Sequence, residues 1–204
     1  MKKIIKISIF FITGLLVVLV IGFGIYYIQK LNQSQSNLAL LLPKAKDLLI
    51  DGMKFRDLNK NDTLDVYEDY RQPIESRLDD LLSQMTLEEK AGTMFINIIG
   101  MTEEGDLLEY PIISTDPIAF IFSFIFPSNS EQIILKHMNS FNIVNSFSSD
   151  ILARYNNNIQ KIAERTRLGI PITIASDPRH GNEQNIGASV FTPSFSKWPS
   201  SLGL

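Results

Sequence analysis

The chain begins with one uninterrupted apolar run. Residues 7–28 carry no charged side chain, three lysines precede them and one follows closely. About 22 apolar residues are the length that a helix needs to cross roughly 30 Å of hydrocarbon. The lysines before the run favour a cytoplasmic amino terminus and an exported body. We predict an uncleaved signal-anchor helix in residues 1–30, because residues 22–27 offer no A-x-A-like cleavage site. Secretion after signal cleavage is the alternative.

The polar segment 31–37 lacks hydrophobic periodicity and is interpreted as a short juxtamembrane linker, with the folded body starting at residue 38. Within the body, two regions differ in composition. Residues 38–72 contain an acidic loop, and residues 73–204 alternate helical and strand patterns, as an α/β fold does.

Two helices are predicted after Pro73. One apolar stripe at helical spacing defines the first: Ile74, Leu78, Leu81, Leu82 and Met85. Thr86 and Glu89 then form a capping-box pattern that starts a second, short helix ending near residue 92. A buried strand is predicted in residues 93–99. The apolar stretch 117–126 lacks alternation, so it is either a strand or a loop packed on the core.

Residues 141–178 carry the strongest architectural pattern, a strand, a helix and a second strand. Ser148 or Ser149 is the expected helix cap, Gly169 the stop, and residues 170–175 the second strand. One helical face is apolar: Ile151, Leu152, Tyr155, Ile159, Ile162 and Ala163. A polar loop follows the second strand. In β/α folds, substrate chemistry collects at the carboxyl ends of strands, so Asp177, Arg179 and His180 are the candidate site residues.

Charge and composition narrow the function classes. The chain has 19 basic and 22 acidic residues, and the body without the four amino-terminal lysines has 15 and 22, a net charge of −7. An acidic body argues against nucleic acid as its main partner. The chain contains no cysteine, so disulfides, zinc–thiolate sites and thiol nucleophiles are excluded.

Residues 57–68 match the spacing of a calcium-binding loop. The side chains at its ligand positions are Asp57, Asn59, Asn61, Thr63, Asp65 and Glu68. A hard cation takes six to eight oxygen ligands, which alternate residues of a tight loop supply. The departure is Asp62 at the sixth position, where glycine is usual, although aspartate tolerates positive φ better than most residues. The alternative is an Asx-rich surface turn.

Six segments together resemble the amino-terminal domain of glycoside hydrolase family 3, whose members with these segments are usually described as β-glucosidases. They are residues 55–61, 67–71, 82–92, 167–171, 176–181 and 195–204. The resemblance implies the first part of a (β/α)8 TIM-type barrel, here incomplete and preceded by a transmembrane helix. It also implies hydrolysis of terminal β-linked glucosyl or related residues in a β-glucoside or oligosaccharide, without a cofactor for the chemistry beyond a possible structural Ca²⁺.

By this resemblance, Asp177 binds sugar hydroxyls next to the cleaved bond, Arg179 orients nearby acids or loops, and His180 lines the pocket. The family's nucleophile and acid/base match no residue here, so the chain is expected to contain no catalytic carboxylate and to be a fragment, inactive alone. Residues 144–145 stand where the family has a basic residue. A non-catalytic, membrane-anchored module that binds sugar or calcium is the alternative function.

Overall fold

The computed structural model describes residues 2–109, 126–145 and 147–175, with side chains from residue 6 onward. It begins with helix α1, Lys2–Ala39, whose apolar side chains are largely exposed. From Lys6 onward this helix is long and apolar enough to cross a membrane, which fits either an anchor or a signal sequence. The segment 31–37, predicted as a linker, is the helical continuation of α1.

A β-hairpin that the hydrophobic pattern did not predict follows α1. Strands β1 (Lys46–Ile50) and β2 (Met53–Asp57) pair antiparallel, with Ile50 opposite Met53. Asp51 and Gly52 form the two-residue turn with φ of 53° and 76°. Positive φ at both positions is what a type I′ hairpin turn requires, and Asp-Gly is a preferred pair for it.

Phe55 fixes the hairpin to the segment that follows it. Its ring is 2% exposed, stacks on Tyr70 at a centroid distance of 4.8 Å, and contacts the Arg71 guanidinium, also at 4.8 Å. Arg71 in turn donates from Nε and Nη2, one edge of its guanidinium, to the two oxygens of the buried Asp69 carboxylate. The hairpin therefore packs on a residue cluster that is itself held by an ion pair.

Helices α2 (Ile74–Gln84) and α3 (Leu87–Thr93) lie where the sequence predicts them. Pro73 precedes α2, and Thr86 and Glu89 form the predicted capping box at α3. The apolar stripe of α2 is largely uncovered among the described residues, with Ile74 71% exposed. The stripe therefore predicts the helix but contributes little to the described core.

Three parallel strands form the main sheet in the order β3–β4–β5: Ile96–Ile99, Ser140–Ile143 and Thr173–Ala175. A π-helical turn, Glu131–Leu135, precedes β4, and α4 (Ser149–Glu164) connects β4 to β5. The predicted strand–helix–strand order after residue 141 is confirmed. The prediction of a buried strand in 93–99 was partly wrong, because Ile99 is buried while Ile96 is 74% exposed.

The core lies between this sheet and α4. Tyr155, Ile159 and Ala163 project from α4 at helical spacing onto Phe141 and Ile143 of β4. Full burial of one such side chain contributes about 1.5–3 kcal/mol. The described residues thus confirm a mixed α/β fold made of a two-stranded and a three-stranded sheet. Closure into a barrel stays a prediction, and most of the apolar stretch 117–126 lies outside the described residues.

Gly92 marks a close approach between α3 and the segment before β4. A Cβ atom at this position would lie 2.5 Å from the carbonyl oxygen of His137 and would also contact that of Lys136. We predict that Gly92→Ala destabilises the body by about 1–3 kcal/mol, because backbone on both sides must shift. Thermal melting of the full chain in detergent measures this loss.

The matched control is Gly22→Ala in α1, where no atom lies within 4 Å of the added methyl group. An unchanged melting temperature is expected for this variant. Equal melting temperatures for Gly92→Ala and the wild type would contradict the close packing of α3 on the His137 backbone.

Candidate functional site

The carboxyl ends of β3, β4 and β5 lie along one edge of the parallel sheet. Ala175, the last described residue, pairs with Asn142 at this edge. The predicted site residues Asp177, Arg179 and His180 follow directly but lie outside the described residues. The structure therefore describes the strand that leads into the candidate site, and the positions of these three side chains stay predictions.

Asn145 joins the ends of β3 and β4. Its side-chain oxygen accepts a hydrogen bond from Met101 N at 2.9 Å, and its side-chain nitrogen donates to Met101 O at 2.8 Å. The backbone continues the pairing, since Val144 N donates to Ile99 O at 2.9 Å. Asn145, which stands where a basic residue was expected, thus connects the ends of neighbouring strands through two hydrogen bonds to backbone atoms.

Asn142 presents a polar atom without a partner on the other face of the sheet. Phe141 and Ile143 point into the core beneath α4, so the pleat directs Asn142 to the opposite face. Its Oδ1 atom is buried and accepts no hydrogen bond within the described part of the chain. An unpaired buried amide is costly, and in native structures it commonly marks strain or a ligand position. The hydrophobic pattern gave no sign of this residue.

The acidic loop folds around Asp57, which is fully buried. Its two carboxylate oxygens accept hydrogen bonds from Asn61 N at 3.0 Å and Asp62 N at 3.1 Å. Asp62 has φ of 63°, the left-handed conformation for which glycine is usual at this position of a calcium loop. The backbone turn therefore has the form that the loop spacing predicts.

The Glu68 carboxylate, at the last ligand position of the loop, is also engaged by N–H donors. Glu68 accepts hydrogen bonds from Leu58 N at 2.6 Å and from the backbone N–H groups of Asn59 and Asp65. Burial raises the pKa of Glu68, and these backbone donors oppose the rise. No group of three acidic or histidine side chains converges as a ready metal cage among the described residues. Calcium binding here would require Glu68 to exchange its donors for the ion.

Lys60 connects this loop to α4 and was not singled out by its spacing. Its ammonium donates to Glu164 O at 2.7 Å and to Thr166 O at 2.6 Å, and also to Leu58 O within the loop. Burial lowers the pKa of Lys60 to about 8, against the attraction of Asp57 and Glu68. A cation at the carbonyl end of a helix is favourable, so Lys60 serves as a cap for α4.

A second ion pair connects α3 to the segment after α4. Arg167 donates from Nε to Glu89 Oε1 at 2.9 Å, from Nη2 to Glu89 Oε2, and from Nη2 to Gln84 O at 2.7 Å. Burial favours the neutral acid, but hydrogen bonds from Arg167 and Thr86 outweigh it and hold the pKa of Glu89 below its ordinary value. Two of the segments that carry the family resemblance therefore meet in a structural contact.

Comparison with known proteins identifies relatives that are named as beta-glucosidases. The chain is 36% identical over 167 residues to the periplasmic beta-glucosidase/beta-xylosidase of Dickeya chrysanthemi, a match that covers 77% of this chain and 22% of that protein. It is also 36% identical over 174 residues to beta-glucosidase C of Emericella nidulans, covering 83% and 25%. Probable beta-glucosidase C of Aspergillus oryzae matches at 36% over 146 residues, covering 71% and 21%.

No protein-family model matches the chain. The chain spans a quarter or less of the length of these three relatives. The activities in their names belong to much longer proteins.

The buried Asn142 Oδ1 atom, which has no hydrogen-bond partner among the described residues, leads to a stability prediction. Asn142→Leu, a substitution of similar size, should leave the free energy of unfolding unchanged or raise it by up to about 1–2 kcal/mol, because it removes a buried polar atom without a partner. Denaturant unfolding of the full chain in detergent measures the change.

Asn129→Leu is the matched control, because the Asn129 amide is also buried but donates to Gly100 O at 2.9 Å and to the Tyr155 hydroxyl at 3.0 Å. This variant should lose about 1–3 kcal/mol. A loss of similar size in Asn142→Leu would show that the Asn142 oxygen has a partner.

Proposed function

The chain is related to the β-glucosidases of glycoside hydrolase family 3, and we propose that it is the sugar-binding part of a membrane-anchored, extracytoplasmic β-glucosidase. The observation that carries the proposal is the 36% identity over 167 residues to a periplasmic beta-glucosidase/beta-xylosidase. The proposed reaction is hydrolysis of terminal β-linked glucosyl or related residues with retention of configuration. The helix α1 supports the anchor, since it is long and apolar enough to span a membrane.

The geometry of the sheet supports the position of the sugar site. Three parallel strands end at one edge, and β5 leads into the segment that carries Asp177, Arg179 and His180. In (β/α)8 barrels the active site is built at this edge. We take β3, β4 and β5 as the first described strands of such a barrel, in which the face of β4 that carries Asn142 is directed toward the interior.

The proposed role of Asp177 follows from carboxylate chemistry. A carboxylate accepts two charge-assisted hydrogen bonds from neighbouring sugar hydroxyls, and these bonds strengthen if the ring flattens toward the transition state. Retaining hydrolysis also needs a nucleophile and an acid/base about 5–5.5 Å apart. The resemblance assigns neither to this chain, so its proposed contribution is to bind and orient the sugar.

This proposal predicts sugar binding that depends on one carboxylate. The full chain in detergent should bind glucose and methyl β-glucoside, and Asp177→Asn should weaken binding by about 10- to 100-fold, the worth of a hydrogen bond to a charged group. Isothermal titration calorimetry measures both affinities. The chain alone should not hydrolyse p-nitrophenyl β-glucoside.

Asp79→Asn is the control, because Asp79 is an exposed acid on α2. It should bind as the wild type does. Absence of sugar binding by the wild type would overturn the proposed function, and equal binding by Asp177→Asn would overturn the role of Asp177. Hydrolysis by the chain alone would contradict the assignment of both catalytic carboxylates elsewhere.

We also propose that the loop 57–68 binds a structural calcium ion. The supporting observation is the positive φ of Asp62 at the sixth loop position, together with the ligand spacing. Bound calcium would be held by oxygens of Asp57, Asn59, Asn61, Asp65 and Glu68, with the Thr63 position completing the loop. It would stabilise the contact between the hairpin, α2 and the end of α4.

Calcium is therefore expected to raise the melting temperature of the full chain. At a concentration one hundred times Kd, a ligand of the folded state stabilises it by about 2.7 kcal/mol. Asp65→Asn is the informative variant, because among the described residues the Asp65 carboxylate accepts only from side-chain amides, those of Asn59, Asn61 and Gln84. Its melting temperature should respond less to calcium. Identical wild-type melting in millimolar calcium and in chelator would exclude the site.

A further inference from the structure

Two polar side chains near the carboxyl end of α1 are buried although the apolar part of the same helix is exposed. Ser34 is 5% exposed and Asn37 is 4% exposed. Residues three apart in a helix lie on one face, so this face of α1 is covered. Buried polar groups need hydrogen-bond partners, and both residues find theirs in the body.

The contacts join α1 to two segments that are distant in sequence. The Ser34 hydroxyl donates to the backbone carbonyl of Glu109, and the Asn37 amide donates to the Ser130 hydroxyl at 3.3 Å. Glu109 also binds Ser130, since its carboxylate accepts from Ser130 N at 2.9 Å and from the Ser130 hydroxyl. These four residues therefore form one connected polar contact between helix and body.

A second contact lies just beyond the helix. Leu42 N donates to Arg165 O at 2.9 Å, and Arg165 Nε donates to Leu42 O at 2.8 Å. Arg165 is the residue at which α4 ends. The chain that leaves α1 is thus fastened on both sides of its helix end, once near the π-helical turn and once at α4.

Ser130 belongs to a buried polar segment that also organises the sheet. Its neighbour Asn129 donates to Gly100 O and to the Tyr155 hydroxyl. Gln132 donates to Ile98 O at 3.3 Å and accepts from the Asn97 amide at 2.7 Å. The surface on which α1 rests is therefore a rigid part of the body, continuous with the carboxyl edge of β3.

We propose that residues 34–42 are a docked stem that fixes the body to the membrane helix, instead of a flexible tether between them. The apolar run ends at Ile28, six residues before Ser34. At 1.5 Å per residue, the contact begins about 9 Å beyond the hydrocarbon. The headgroup layer fills most of that distance, so the body is held against the membrane surface in one orientation. The proposal rests on α1 spanning the membrane and does not depend on glycosidase activity.

The absence of cysteine makes the stem testable by disulfide trapping. Asn37→Cys with Ser130→Cys replaces atoms 3.3 Å apart, a separation that two sulfur atoms can bridge after small adjustment. Gln35→Cys with Ser130→Cys is the control, because Gln35 is exposed on the other side of α1. The full chains are oxidised in proteoliposomes, and the intramolecular bond is quantified by mass spectrometry of tryptic peptides.

We expect the pair at 37 and 130 to cross-link at least tenfold faster than the control pair. Equal rates for both pairs would indicate a flexible tether and overturn the proposal. Hydrogen exchange of the unmodified chain tests the stem without substitutions: amides 35–39 should exchange at least tenfold more slowly than in an unstructured peptide. Exchange at the peptide rate would also overturn it.

Discussion

The described body depends on how the buried amides of Asn129 and Gln132 are satisfied. A short parallel strand such as β3 leaves backbone carbonyls at its carboxyl end, and a buried carbonyl without a donor is costly. Asn129 supplies a donor to Gly100 O and Gln132 supplies one to Ile98 O. The same two side chains reach Tyr155 of α4 and Asn97 of β3. One polar segment therefore sets the spacing of sheet, helix and π-helical turn, and the apolar core forms around it.

The carboxyl ends of α4 and β3 are also stabilised by hydrogen bonds from side chains to backbone groups. Lys60 donates to the carbonyl of Glu164, the last residue of α4, and to that of Thr166 just after it. Asn145 forms hydrogen bonds with the backbone of Met101, just after β3. Each of these side chains comes from a segment far away in sequence. The structure thus uses long-range side-chain caps where local turns do not supply enough donors, and these caps bring the acidic loop, the hairpin and the parallel sheet into one body.

Elements with a strong local pattern could be predicted from the sequence. The α2 stripe, the Thr86–Glu89 capping box and the Tyr155 face of α4 each depend on residues within four positions of one another. The hairpin was missed although Asp51-Gly52 is a strong turn pair and β2 alternates apolar and charged residues. Both strands are only five residues long, and β1, Lys-Asp-Leu-Leu-Ile, shows no such alternation. The helical continuation of α1 through 31–39 could not be predicted locally. Its Ser and Asn residues have modest helix propensity, and the buried contacts of Ser34 and Asn37 involve residues 75 and 93 positions away.

Some features of the candidate site could also be predicted from the sequence, and others could not. The prediction that Asp177 follows the end of a strand depends on the local pattern of residues 170–175. The buried Asn142 Oδ1 atom, which has no partner among the described residues, depends on which face of β4 is covered. Two of the segments that carry the family resemblance, 82–92 and 167–171, contact each other in the structure. Glu89 and Arg167 form an ion pair between α3 and the loop after α4. This contact gives both side chains a structural role that involves no sugar. The proposed sugar chemistry rests instead on the segment after β5, and the binding affinity of an Asp177 variant tests that segment independently of the scaffold.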